Sequence, residues 1–199
     1  AEIENEAHYM LNYGKFSGER YFLVYPNNIT PTIILYWIYR IAAFLHISEV
    51  WTLHIFCFLV TTATIFLTYK TAGKLLTKQK QTIILGLMIL YIPFQMYSLF
   101  YYSDTLMVIM VALIIYVLIP SDGSFIFRTK HIVAAAILVA FAWNLRSNII
   151  IILPALIVYL LFFKWYKNLV LLLVTFGIAF IFFGKGFDML WAHYGFWKD

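Results

Sequence analysis

Charge is the scarcest property of this sequence: Asp, Glu, Lys and Arg together make up only 12% of its 199 residues. A soluble domain runs to about 25% charged residues, because water-facing side chains have to cover a large surface. A soluble enzyme or an ordinary binding module is thereby excluded. Cysteine occurs once, at Cys57, so neither an intrachain disulfide framework nor a cysteine-built metal cluster is open to the chain. Gly184-Lys185-Gly186 is too sparse for a phosphate loop, and the spacings of Walker, Rossmann, zincin and serine-nucleophile motifs do not occur. What is abundant is apolar: 64% of residues are hydrophobic, 20% are aromatic, and the mean hydropathy is +0.87. That composition also excludes disorder, which needs low hydrophobicity and high net charge. The chain reads as an all-α, polytopic integral membrane protein.

Seven apolar runs divide the sequence: Ile29 to Ile47, Trp51 to Tyr69, Thr82 to Phe100, Thr105 to Pro120, His131 to Leu145, Ile149 to Phe163 and Asn168 to Gly184. They are apolar on every face, so they predict helices; a barrel would need alternating strands. Lys70, Lys74, Lys78, Lys80, Arg128, Lys130, Lys164 and Lys167 fall in three loops that share one side if each intervening pair of runs crosses. Short loops rich in Lys and Arg stay cytoplasmic. Residues 100 to 104, 145 to 148 and 185 to 199 then face outward. The net charge of +5 reports topology and not a nucleic-acid surface. The first run breaks this parity, because a full crossing would put the acid-bearing residues 1 to 28 inside, and the run itself carries Arg40. A charge at the bilayer centre is costly. The expectation is therefore an outer loop over residues 1–50 with interfacial or re-entrant helices, a transmembrane module over 51–184 of about six spans, and the start of a further outer segment over 185–199. The sequence begins without Met or a signal peptide and ends as a polar segment opens, which points to a piece of a longer protein.

Because charges are so few, each one on the outer side is worth placing. Asp104 is the one acid between Glu49 and Asp122, where a span begins. It fits a helix cap; it equally fits an outward carboxylate that binds a metal or a hydroxyl, or that orients a phosphate through a cation. Arg146, in Asn144-Leu145-Arg146-Ser147-Asn148, departs from the positive-inside rule and suits a phosphate; snorkelling to lipid headgroups is the plainer alternative. Tyr25-Pro26-Asn27-Asn28 is turn chemistry that would also suit a sugar. His54, Cys57 and Thr61 share a helix face, as residues packed between spans do, and supply too few ligands for a metal.

The order of these features carries a resemblance. Ala7, Tyr9 and Gly14, then Tyr21-Phe22 and Tyr25-Pro26-Asn27-Asn28, three apolar runs, Tyr101-Tyr102-Ser103-Asp104-Thr105-Leu106, and Leu145-Arg146-Ser147 together resemble the GT-C superfamily of polyprenyl-phosphate-sugar-dependent glycosyltransferases. The likeness is to bacterial family-39-type proteins, relatives of protein O-mannosyltransferases and aminoarabinose transferases, over their N-terminal module. The resemblance implies transfer of a sugar from a polyprenyl-phosphate carrier to a hydroxyl of an extracytoplasmic glycan, lipid or protein, at the outer face of a bacterial cytoplasmic membrane. It implies a catalytic acid in the first outer loop, at or just before Ala1, with Glu2 or Glu4 standing near it. Asp104 matches a second outer-loop acid that helps assemble an acceptor or metal site, with a divalent cation such as Mg or Mn as a cofactor. Arg146 resembles a basic residue near the lipid-linked phosphate, and Tyr25, Asn27, Asn28 and Tyr102 complete the expected substrate-binding set. Two other classes compete: a transporter or flippase, whose ionisable groups should cluster near the midplane, and a non-catalytic scaffold subunit.

Overall fold

The computed structural model describes residues 2–18, 20–101, 103–121 and 128–196. Among them the chain is helical throughout, without a strand: α1 (Glu2–Tyr13), α2 (Arg20–Val24), α3 (Ile29–Leu45), α4 (Glu49–Leu75), α5 (Lys78–Leu90), α6 (Ile92–Gln95), α7 (Ser103–Leu118), α8 (Thr129–Trp143), α9 (Ile152–Phe162) and α10 (Tyr166–His193). Short 3₁₀ turns precede α3, α7 and α9. The all-α expectation holds for the reason that produced it: lipid supplies no partner for a backbone N–H, and a helix satisfies its own.

Among the described residues, three stretches are long and apolar enough to cross a bilayer, Pro26–Leu45, Glu49–Leu75 and Tyr166–His193. At 27 and 28 residues, α4 and α10 each rise about 40 Å. The helices Lys78–Leu90 and Ile92–Ser98 form a fourth span if the bent pair acts as one, and α7, α8 and the stretch Ser147–Phe162 are shorter apolar helices. The three long stretches differ in their surroundings. Inside the protein, 61% of the apolar window of Pro26–Leu45 is buried, against 17% for Glu49–Leu75 and 11% for Tyr166–His193. Protein, chiefly α1 and α4, sheathes α3; α4 and α10 leave Phe58, Leu59, Phe66, Ile178, Ile181 and Phe182 exposed to lipid.

Two apolar runs take a different form from the one their composition suggests. The run Thr82 to Phe100 is not one helix: Pro93 lacks an N–H, and the axis turns by 66° between Leu90 and Ile92. Gln95 Nε2 donates to the Met88 carbonyl at 2.8 Å and so serves an oxygen near the break. The last run does not stop at Gly184. A glycine costs a helix about 1 kcal/mol relative to Ala, yet α10 continues through Gly184 and Gly186 to His193, where Phe187, Leu190 and Trp191 pack on α3 and its neighbours.

The helices alternate in direction, so chain segments gather at two ends. At one end Lys74 Nζ donates to the carbonyls of Tyr116 (2.6 Å) and Ile119 (2.8 Å), tying the close of α4 to the close of α7. The opposite end collects α1, the start of α4, residues 99–101, Arg146 and the close of α10. There Phe16 N–H donates to the Tyr194 carbonyl at 2.8 Å, and Trp191 Nε1 donates to Thr30 Oγ1 at 3.2 Å across 161 residues of sequence. Among the described residues, two apolar clusters are buried. One is aliphatic, between α7, α8, α9 and α10, where Ala135, Ala136 and Ala142 are fully buried and let backbones approach closely. The other is aromatic, between α1, α3 and the close of α10, with Phe16, Phe22, Tyr36, Tyr39, Trp191, Tyr194 and Phe196.

Candidate functional site

A cavity of about 910 Å³ opens at the end where α1, α3, α4 and Arg146 meet. Its walls differ in charge. Glu2, Glu4 and His8 of α1 and Glu49 and His54 of α4 form an acidic and imidazole-bearing wall. Arg146 stands in the lining as its cation, with Tyr21, Asn28, Tyr39 and Tyr101 supplying phenols and an amide, and Leu35, Val50, Leu53, Leu99 and Phe100 the apolar surface.

Arg146 and Asp104, far apart in sequence, are brought together: Arg146 Nε lies 3.3 Å from Asp104 Oδ1, with the side chains 22% and 33% exposed. Asp104 sits in the first turn of α7, where the helix dipole favours a negative charge. Asp104 thus stands inside the first turn of α7 and beside a guanidinium at once. Arg146 follows the last turn of α8, its N–H donating to the Ala142 carbonyl at 3.0 Å, and its extended backbone leads into the 3₁₀ turn Ser147–Ile151. Arg146 lines the cavity, and Asp104, its ion-pair partner, is not in the lining.

The expected sugar-binding motif divides. Asn28 is buried, lines the cavity and donates from Nδ2 to the Tyr21 hydroxyl at 2.7 Å. Tyr25 and Asn27 are outside the lining; Tyr25 is half exposed and leans on Tyr21, ring to ring at 5.1 Å. Tyr102 lies outside the described residues. Glu2 and Glu4 line the cavity, whereas Glu6 turns inward: 1% exposed, it accepts from Ser17 N–H at 2.6 Å and from Ser17 Oγ at 2.5 Å and holds the turn after α1 in place. On the face of α4 that carries His54, Cys57 and Thr61, only His54 reaches the cavity, and Cys57 and Thr61 are buried. Among the described residues, those around Asp104 supply few of the oxygen donors that the expected divalent cation would take. Such an ion asks for about six oxygen ligands, the Asp104 carboxylate already faces a guanidinium, and among the described residues no three His, Cys, Asp or Glu side chains converge.

Sequence reasoning passed over His8, Tyr39 and Glu49 as site residues, and took Tyr21 and Tyr101 only as parts of the family-like motifs. His8 Nδ1 lies 3.7 Å from Glu49 Oε2, and its ring stacks on Tyr39 with centroids 4.7 Å apart and planes 24° apart. The Tyr101 hydroxyl donates to the Pro31 carbonyl at 2.8 Å, and burial pushes its phenol well above the usual tyrosine range, so it stays a donor. One signal was available: like Asp104, Glu49 is an acid in the first turn of a helix that starts at this end.

Comparison with curated proteins and with solved structures finds no significant match. A family model described as dolichyl-phosphate-mannose-protein mannosyltransferase matches residues 30–184, from α3 into α10, and so takes in Asp104 and Arg146 but not α1. The chain belongs to this family, whose members are membrane glycosyltransferases of the mannosyltransferase type.

Proposed function

We propose that this end of the bundle faces outward and transfers a sugar from a polyprenyl-phosphate carrier to an acceptor hydroxyl, at a bacterial plasma membrane. The observation that carries this reading is the position of Arg146: a cation in the lining of a cavity that Glu2, Glu4 and Glu49 also line, at the end away from the basic loops. The acceptor oxygen loses its proton to a base on the acidic wall and attacks the anomeric carbon. The bond from that carbon to the phosphate oxygen breaks, and the phosphate leaves with the electron pair. Arg146 meets the charge that develops there, held in orientation by Asp104. Direct displacement inverts the anomeric centre. Asn28 and Tyr21, joined by a hydrogen bond, offer hydrogen bonds to the sugar, and Glu2 and Glu4 add negative potential to the cavity. No metal step is invoked.

In the organism of origin, deletion of the protein should cause its sugar-loaded carrier to accumulate in lipid extracts, measured by mass spectrometry. Wild-type protein should clear it and Arg146→Ala should not; absence of any accumulating polyprenyl-phosphate sugar would sink the reading. The outward placement has its own check. A cysteine at Tyr13, which is 65% exposed in a chain whose own Cys57 is buried, should react with an impermeant maleimide on intact cells, and one at Lys78 should not. The reverse pattern would overturn it.

A further inference from the structure

We propose that α3 lies flat in the headgroup layer of the membrane, and that Arg40, braced by Trp37 and Tyr36, binds the phosphate of an anionic phospholipid there. The proposal is independent of the transferase reading, because it uses only where α3 sits and what its outer face presents. By length and hydropathy alone, Pro26–Leu45 would be a span. Its contacts place it otherwise. Near its start Trp191 Nε1 donates to Thr30 Oγ1 at 3.2 Å, and the Tyr101 hydroxyl donates to the Pro31 carbonyl at 2.8 Å. In its middle Tyr36 meets Tyr194, ring centroids 5.5 Å apart, and after its last turn the chain bends at His46 and enters α4 at Glu49. All of these partners belong to the cavity end. A spanning helix of 17 residues would carry one terminus about 25 Å away, toward the end where Lys74 lies.

The long helices give the depth. At a rise of about 1.5 Å per residue, Trp191 stands about 37 Å along α10 from Tyr166, and Glu49 about 37 Å along α4 from Lys74. The hydrocarbon core is about 30 Å thick, so α3, fixed at both ends to these levels, lies in the polar layer that follows it. One face of α3 contributes Leu35 and Tyr39 to the cavity lining. Another carries Trp37, Arg40, Ile41 and Phe44 at helical spacing, all of them exposed, Phe44 to 82%. This apolar stripe continues along the chain through exposed Val50 and Trp51 into the face of α4 that holds Phe58 and Leu59. A helix with such a stripe seats it at the boundary of headgroups and acyl chains. Arg40 supplies the charge: its guanidinium lies 5.2 Å from the Trp37 ring centroid and 5.9 Å from that of Tyr36, and Nη1 donates to the Tyr36 hydroxyl at 3.2 Å. Tyr36 is buried, which fixes the brace. A guanidinium has five donors in a planar fork, more than this contact takes up, and a phosphate accepts two of them side by side.

The test uses the full chain, purified and reconstituted in vesicles of phosphatidylcholine and phosphatidylglycerol. A fluorophore on Phe44→Cys, in a chain whose own Cys57 is buried, should be quenched more by a nitroxide near the lipid headgroup than by one near the end of the acyl chain. The same label on Ile178→Cys, exposed and about 18 Å along α10 from Tyr166, should show the reverse. Stronger quenching of the first label by the deep nitroxide would make α3 a span, quenching by aqueous iodide alone would put the stripe in water, and quenching by none of the three would mean that protein covers it. Each of these overturns the proposal. For Arg40 the probe is phosphatidylglycerol added to delipidated protein in detergent, counted by native mass spectrometry. Arg40→Gln should weaken its retention by about tenfold while melting as wild type does without the lipid. Arg40→Lys should recover only part, since an ammonium keeps the charge and loses the fork. Equal retention by wild type and Arg40→Gln, or displacement of the lipid by inorganic phosphate, overturns the assignment of Arg40 to a phospholipid.

Discussion

The aliphatic cluster among α7 to α10 and the aromatic cluster among α1, α3 and the close of α10 are both buried, yet they are built by different means. The first joins helices that are neighbours in sequence or nearly so, with alanines of α8 at the contact and no polar atom needed. In lipid there is little hydrophobic drive between helices, so close approach and dispersion hold them. The second gathers remote segments, and its large rings have polar tips or polar neighbours that bond across the gap: Trp191 to Thr30, and Tyr101, packed at its margin, to Pro31. A ring with a polar handle suits the membrane boundary, where one side is dry and the other wet. The difference shows what each is for. The aliphatic cluster holds a frame, and the aromatic one presents a cavity.

That division can be broken by substitution. The largest effect should come from Arg146→Ala, which should lower carrier turnover by about 10²–10³-fold while the detergent-solubilised protein melts nearly as wild type does. Asp104→Asn combined with it should add little, because the two residues act as a unit; full additivity would separate them. Next comes Glu6→Ala at the edge of the aromatic cluster. It strands the Ser17 N–H and hydroxyl and should cost about 2 kcal/mol, visible as a lower melting temperature and faster hydrogen exchange over residues 14–18. Ala136→Leu tests the frame: overfilling the contact should cost about 1–3 kcal/mol with kcat per folded molecule unchanged. A selective loss of kcat there would mean that the two clusters are not separate in role. The smallest effect should be that of Trp191→Phe, which keeps the ring packing and removes the donor to Thr30, at a cost of about 1 kcal/mol in thermal stability.

Much of this was legible in advance, and the physical reason is depth. A charge within an apolar run is so costly that its position in sequence reports its position across the bilayer. Asp104 and Arg146 could therefore be picked out singly and assigned to one end, where the structure makes them an ion pair. The run Thr82 to Phe100 reads as unbroken; whether its Pro93 kinks or divides it depends on what serves the freed carbonyls, here Gln95. Gly184 misled in the opposite sense, because its local penalty is outweighed by packing ten residues further on, around Tyr194 and Phe196. His8 and Glu49 carried no warning of each other: one lies in a polar segment and the other at the edge of a run.

The sequence by itself determined the solvent and the helical class, because an unpaired backbone group in hydrocarbon costs more than any local preference can offset. Only the tertiary structure decided which side chains meet. Glu6 turns inward while Glu2 and Glu4 line the cavity, Asn28 lines it while Tyr25 does not, and His8 finds Glu49 and Tyr39. Those outcomes depend on the rotation of each helix about its axis and on the docking of α1 against α3, which are set by the fit of remote aromatic rings and not by periodicity along the chain.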